Sequence, residues 1–179
     1  MWGVFAKVKD ILGGRGAETS GFKVLAPLSG DVIPLEDVPD VVFSEKLAGD
    51  GVAIKPSSNC ILAPIDGEVK FFDSNHCFVI KSPSGVEIMV HFGIDTVELA
   101  GEGFTRLVDN NQTVKAGDHL VDLDLPYLET NAKSTITPVV ITNASMCGVA
   151  RIFHFEGKAT AGFTNVMSIH LESGDASGS

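Results

Sequence analysis

Residues 85–97 read Gly85-Val86-Glu87-Ile88-Met89-Val90-His91-Phe92-Gly93-Ile94-Asp95-Thr96-Val97. At the two-residue period of a strand, Val86, Ile88, Val90 and Phe92 share one face, and Glu87, Met89 and His91 share the other. His91 therefore ends a β-branched run on the side away from the apolar stripe, next to Gly93, where backbone can approach a ligand closely. The stretch before it, Asn75-His76-Cys77-Phe78-Val79-Ile80-Lys81, reads as a strand leading into the turn signal Ser82-Pro83-Ser84-Gly85. A turn centred on Pro83 and Ser84 pairs Ser82 with Gly85, Phe78 with Met89 and His76 with His91. Opposed residues share a face with Cβ atoms about 4.5–5.5 Å apart, so this register predicts two imidazoles side by side.

The rest of the composition sets the frame. A chain of 179 residues, 44% apolar and 20% charged, is long enough for one domain with a real core. Nineteen glycines and eight prolines favour many short strands over long helices. The net charge of −10 argues against nucleic acid and points to soluble, basic partners. Three cysteines, Cys60, Cys77 and Cys147, lack CxxC spacing and read as structural thiols in a reducing cytoplasm. No apolar run approaches the ~18–20 residues of a membrane span, and the N-terminus lacks the apolar stretch and cleavage site of a signal peptide.

Along the chain, Phe5, Val8, Ile11 and Leu12 fall on one helical face of residues 1–12, with Lys7 and Lys9 off it. The alternatives are a docked or frayed terminus and a weak interfacial helix that inserts Trp2 and Phe5 into lipid. Residues 13–21 read as a flexible linker, 22–171 as the folded body and 172–179 as a polar, disordered tail. Leu25-Ala-Pro-Leu-Ser-Gly-Asp-Val32 recurs as Leu62-Ala-Pro-Ile-Asp-Gly-Glu-Val69, an internal strand-turn-strand repeat. With turn signals every ~8–12 residues, the expected fold is all-β, an antiparallel sandwich or barrel. Only Tyr127–Lys133 and the Phe104–Asn110 region read as short helical turns.

Two facing histidines support several chemistries. A surface imidazole with its ordinary pKa of ~6.5 is largely neutral at pH 7 and can attack phosphorus through one nitrogen while the other donates to a backbone carbonyl that fixes the tautomer; a neighbouring ring can donate to the phosphoryl oxygens. Ser74, two residues before His76 and so on its face, can orient that second ring. Phe78 and Met89 lie on the same predicted face, and Asp40-Val41-Val42-Phe43 with Leu47 supplies apolar side chains that fit a docking rim. A space-filling pair on a wet sheet face and a zinc site built with Asp95 remain as alternatives. No HxH or HExxH set supports a zinc peptidase, and no Met-Lys-Met tripeptide supports a lipoyl- or biotinyl-type carrier. His119, His154 and His170 read as ordinary strand or surface residues.

The stretch Gly85-x-x-Ile-Met-Val-His91-Phe-Gly-Ile-x-Thr-Val97 resembles the signature of the glucose-type IIA component of the bacterial phosphoenolpyruvate-dependent sugar phosphotransferase system. Ala26-Pro-Leu-Ser-Gly30, Glu36–Phe43, Gly49–Pro56, Asn75-His76, Val97–Phe104 and Ala132–Val140 extend the likeness over residues 22–142. The resemblance implies an antiparallel β-sandwich of the duplicated-hybrid-motif type and a phosphocarrier with no obligatory cofactor beyond a covalent phosphohistidine. His91 matches the phosphorylated histidine, charged by the histidine phosphocarrier protein and discharged to a cysteine on the IIB domain of a sugar permease. His76 matches the second histidine needed for onward transfer, Ser74 a hydroxyl position, and Asp40 and Asp95 flanking acids that keep the phosphoryl group in transit. The implied docking surface is Val41, Val42, Phe43, Leu47, Phe72, Phe78, Met89 and Val97. Two further roles are implied: docking of the unphosphorylated face on permeases or metabolic enzymes, and a zinc ion bridging His76 and His91 to a partner carboxylate. Residues 1–12 resemble a membrane-associating tail, which would put the protein at the inner face of the membrane. Leu47-Ala48 and the stretch Ala144–Phe155 depart from the family pattern, so partner choice is expected to differ there.

Overall fold

The two copies of the repeat cross each other and bond reciprocally: Leu25 N donates to Pro64 O at 2.9 Å, and Leu62 N to Pro27 O at 2.9 Å. The computed structural model describes residues 21–172, so the expectations for 1–12, for most of the linker and for 173–179 lie outside the described residues. The strands are β1 (Gly21–Leu25), β2 (Gly30–Pro34), β3 (Asp50–Pro56), β4 (Cys60–Leu62), β5 (Gly67–Phe71), β6 (Cys77–Lys81) and β7 (Glu87–His91). They continue as β8 (Phe104–Arg106), β9 (Thr113–Val114), β10 (His119–Leu123), β11 (Thr137–Ile141), β12 (Val149–His154), β13 (Gly157–Ala159) and β14 (Asn165–Leu171). The α-helices are short: α1 (Val41–Ser44) and α2 (Leu125–Asn131).

Eight strands form one sheet in the order β13-β2-β3-β11-β7-β6-β5-β9, beside two three-stranded sheets, β1-β14-β12 and β4-β10-β8. Every recorded pairing is antiparallel. The large sheet is a palindrome about the β11–β7 pair: β2 corresponds to β5 through the repeat, β3 to β6, and β13 to β9. The small sheets correspond likewise, β1 to β4 and β14 to β10. Local bonding follows the same dyad. Ala26 donates to Thr164 O and accepts from Gly162 N, while Ala63 donates to Asp118 O and accepts from Gly117 N, each at 2.8 Å. The architecture is the expected all-β one.

Val86, Ile88, Val90 and Phe92 are fully buried in the main core, as the alternation predicts. β3 and β11 are buried on both faces. Val52, Ile54, Val139 and Ile141 enter the main core, whereas Ala53 and Val140 enter a second, smaller cluster with Leu35, Val38, Phe43 and Ile94. That second cluster lies under the face that carries His91, with Met89 packed against it.

The hairpin register differs from the expected one. Ser82 N donates to Val86 O and Gly85 N to Ser82 O, each at 2.9 Å, and Gly85 adopts φ +88°. The loop therefore has three residues, Pro83-Ser84-Gly85, with glycine in the left-handed position that such loops favour. Cys77, not His76, opposes His91, and Phe78 opposes Val90. A one-residue slip moves every side chain to the other face, so Phe78 is fully buried and no part of a docking rim. The 104–110 region is also corrected: Phe104–Arg106 is strand β8, with Phe104 in the core, and only α2 bears out a helical turn.

Gly30 and Gly67 are equivalent across the repeat, and an added Cβ would lie 1.9 Å from Lys55 O in the first and 2.2 Å from Lys81 O in the second. Backbone rather than a flexible side chain blocks both sites. Gly30→Ala and Gly67→Ala should each cost at least about 2 kcal/mol, or roughly 4–8 °C in Tm, in urea and thermal unfolding. Gly117→Ala, where nothing lies within 4 Å, should cost only about 1 kcal/mol through its φ of +92°.

Candidate active site

The last residue of β7 places His91 where the strand leaves the sheet. Gly93 then turns with φ +71°, and an added Cβ there would meet Ser134 O and Thr96 Cγ2, each at 2.6 Å. This turn brings the Gly93 carbonyl to within 2.8 Å of His91 Nδ1. A carbonyl only accepts, so Nδ1 carries the proton and Nε2 keeps a free lone pair. The turn is pinned from below: the buried Thr96 hydroxyl donates to Phe92 O, and Ile94 N donates to Ser134 O at 2.9 Å.

His76 reaches His91 by a route that strand parity does not describe. Asn75 sits in the left-handed region at φ +56°, just before His76 and two residues ahead of the start of β6, and breaks the two-residue count. His76 O still accepts from Phe92 N at 2.7 Å, and the two imidazole rings meet edge to face, with centroids 4.8 Å apart and an interplanar angle of 81°. Ser74 Oγ hydrogen-bonds His76 Nδ1. When the hydroxyl donates, His76 Nε2 holds the proton and is itself a donor.

Burial lowers both imidazole pKa values. His76 falls to about 4, first through burial and then through the neighbouring His91. His91 is lowered by burial, against the opposing pull of the Gly93 carbonyl and the Asp40 and Asp95 carboxylates. Both rings are thus held neutral at pH 7, the state a nucleophilic imidazole needs.

His91 lines a hollow of about 320 Å³ with Asp40, Val42, Phe43, Ala48, Met89, Ile94, Asp95 and Val97. A larger hollow, about 610 Å³ beside β8, β10 and α2, contains neither histidine. Asp40 caps α1 by accepting from Val42 N at 2.9 Å. Asp95 takes φ +56° and pairs with Lys133 at 3.1 Å. Of the apolar residues expected to face partners, Val41, Val42, Leu47, Phe72 and Val97 are exposed and Met89 is half-buried. Phe43, only 6% exposed, instead packs its ring 5.3 Å from that of His91.

Sequence reasoning passed over α1, although an aspartate before Val-Val-Phe is a recognisable N-cap. The backbone carbonyl expected on the second ring nitrogen is that of Gly93, which the sequence did not single out; Thr96 and Lys133, whose roles come from tertiary contacts, were passed over. His119, His154 and His170 stay outside the site, against Asp122, Asp50 and Phe153 respectively. The three cysteines are unpaired, and burial pushes the Cys77 thiol up to about 12, leaving it inert beside His91. Among the described residues no three His, Cys, Asp or Glu side chains gather as metal ligands. Two imidazoles alone fall short of the protein ligands of a four-coordinate zinc site.

A neutral imidazole with one oriented nitrogen, a second ring beside it and an apolar rim suits reversible group transfer. The family described as phosphoenolpyruvate-dependent sugar phosphotransferase system, EIIA 1, matches residues 22–147. The chain belongs to this EIIA 1 family. The glucose-specific EIIA component of Haemophilus influenzae is 46% identical over 168 residues, 93% of this chain and 98% of that relative. The N-acetylglucosamine-specific EIICBA component of Klebsiella pneumoniae is 45% identical over 82% of this chain, which spans 22% of that longer relative. Among solved structures, the glucose permease IIA of Mycoplasma capricolum superposes with a TM-score of 0.77 at 39% identity, covering 83% of this chain and 96% of its own. As an EIIA 1 protein the chain is a phosphoryl carrier in sugar uptake. Among the described residues no helix is long and apolar enough to cross a membrane.

The lowered pKa of His76 fixes a pH dependence. Unfolded imidazole protonates near pH ~6.5, whereas folded His76 protonates at about 4. Between these values the unfolded chain holds the extra proton, so stability falls as pH drops through that window. In ¹⁵N-detected titrations the His76 ring should stay neutral down to pH about 4. His76→Gln should flatten the decline of unfolding free energy across the same window relative to wild type.

Proposed function

We propose that His91 Nε2 is the phosphoacceptor of a glucose-class EIIA carrier, charged by the histidine phosphocarrier protein and discharged to the IIB domain of a sugar permease. The observation that carries this reading is the Gly93 carbonyl on His91 Nδ1, which leaves Nε2 as the nucleophilic nitrogen. In the uptake step the Nε2 lone pair attacks the phosphorus of the donor's phosphohistidine. The new N–P bond forms as the donor's N–P bond breaks, and the donor ring keeps that electron pair. In the onward step a IIB thiolate attacks phosphorus and the electrons of the Nε2–P bond return to His91.

His76, oriented by Ser74, donates from Nε2 to the phosphoryl oxygens as charge shifts between nitrogen and sulfur. The Gly93 carbonyl stabilises the positive charge that the phosphorylated ring acquires. Asp40 and Asp95 repel a dianion, which keeps the group transferable; the Lys133 pair tempers that repulsion at Asp95. The exposed Val41, Val42, Leu47, Phe72 and Val97 surround the site as a rim on which successive partners dock. The Klebsiella relative, whose name joins A to B and C components, supports a IIB acceptor. The folded carrier spans residues 22–171 and works in the cytoplasm, with residues 1–12 as a peripheral membrane contact.

A second reading rests on the same pair of rings. Unphosphorylated, the rim docks on permeases or metabolic enzymes, and His76 and His91 hold a zinc ion completed by a partner carboxylate.

Labelling from phosphoenolpyruvate with the two general phosphotransferase proteins tests the carrier assignment. Wild type and His76→Ala should take up acid-labile phosphate and His91→Ala none. His76→Ala should pass it to IIB at least ~100-fold more slowly, the cost of one lost transition-state donor. Label on His91→Ala would place the acceptor elsewhere.

A further inference from the structure

Phe43 was expected on the docking rim, yet it is 6% exposed while its neighbours Val41 and Val42 are 57% and 43% exposed. It points inward from α1 into the cluster of Leu35, Val38, Ala53, Ile94 and Val140. Its ring lies 5.3 Å from the His91 ring at 56°, on a ring that also meets His76 at 4.8 Å. The helix that carries it is only one turn long, so external contacts must hold it. Asp40 caps its start. At its end Lys46 adopts φ +56°, donates its N–H to Phe43 O at 2.9 Å, and pairs with Glu36 at 3.1 Å and Asp50 at 3.2 Å. This bracing fixes a benzene ring against the imidazole.

We propose that Phe43 is a positioning residue for His91, locking its ring orientation and keeping water from the phosphoryl group while the carrier travels between partners. The inference rests on His91 being the phosphoacceptor. A side chain with no donor or acceptor excludes water without competing for the phosphoryl oxygens. Packed against the imidazole, it also removes the rotamers that would swing Nε2 out of line. The reaction it suppresses is hydrolysis: water oxygen attacks phosphorus, the Nε2–P bond breaks toward nitrogen, and inorganic phosphate leaves with the protons that water supplies.

The decisive readout is the half-life of phosphohistidine in the isolated, full-length phosphoprotein, where no partner is present and a pure docking role has no effect. Phe43→Ala should shorten that half-life by roughly threefold or more, with Phe43→Leu restoring it to within about twofold of wild type. In transfer to IIB, Phe43→Ala should lower kcat more than it raises KM. Ile169→Ala, a core truncation on β14 in another sheet, controls for general destabilisation and should leave the half-life unchanged. Should Phe43→Ala fail to fold by urea unfolding, Phe43→Val is held to the same criterion. A wild-type half-life in the folded variant overturns the proposal. Wild-type protein that carries no phosphate on His91 overturns the phosphoacceptor reading and this proposal with it, an outcome seen before any Phe43 variant is compared.

Discussion

The reciprocal pair of bonds between the two repeats, Leu25 to Pro64 and Leu62 to Pro27, is the constraint from which the rest of the sheet follows. Each copy satisfies the backbone of the other at the crossing, where water is excluded and an unmet amide would be costly. Once the copies cross, Gly30 and Gly67 must pass close to the strands that follow them, which is why neither position has room for a Cβ. The crossing also sends β2–β3 and β5–β6 to opposite ends of one sheet, with β11 and β7 at its centre.

The candidate site lies where this symmetry fails. On the β2–β3 side, the outer face is covered by the 3₁₀ turn Leu35–Asp37 and α1, which seal Ala53, Val140 and Ile94 beneath them. On the β5–β6 side, the outward residues Glu68, Lys70 and Lys81 are exposed. His91 lies between a covered half and an open half. Phe43 and the second cluster cover one side of its ring, and the other side faces the open half. A fully symmetric sheet would either bury the histidine or leave it in bulk water.

The strand of residues 86–92 was legible because the chain alternates strictly there and one face is wholly apolar. The repeat was legible because both crossings need the same residues. The facing histidines were also legible, but through a compensation: the loop has one residue more than the Ser82–Gly85 turn suggests, which moves Cys77 opposite His91. The left-handed Asn75 then returns the His76 ring to the site. Sequence periodicity cannot register either event, since one depends on where glycine takes positive φ and the other on a break in the strand. Phe43 was misplaced for a related reason. A one-turn helix has too few residues to show a period, so its inward and outward side chains cannot be separated without the Lys46 bracing that sets its orientation.

The electrostatics of the site then become coherent. With His91 as the proposed phosphoacceptor, a chain of net charge −10 would hold a dianion beside Asp40 and Asp95, a poor storage site. A carrier needs that property, because a group held too firmly cannot be passed on. Lability has to be selective, fast toward a docked nucleophile and slow toward water. In the proposed mechanism the acids and the lowered imidazole pKa values would serve the first requirement, since a neutral ring both accepts and releases phosphorus without a proton to remove. The apolar wall proposed around Phe43 would serve the second. The burial that covers the rings also lowers their pKa values, so in this reading shielding and a neutral, nucleophilic ring would come from one packing arrangement.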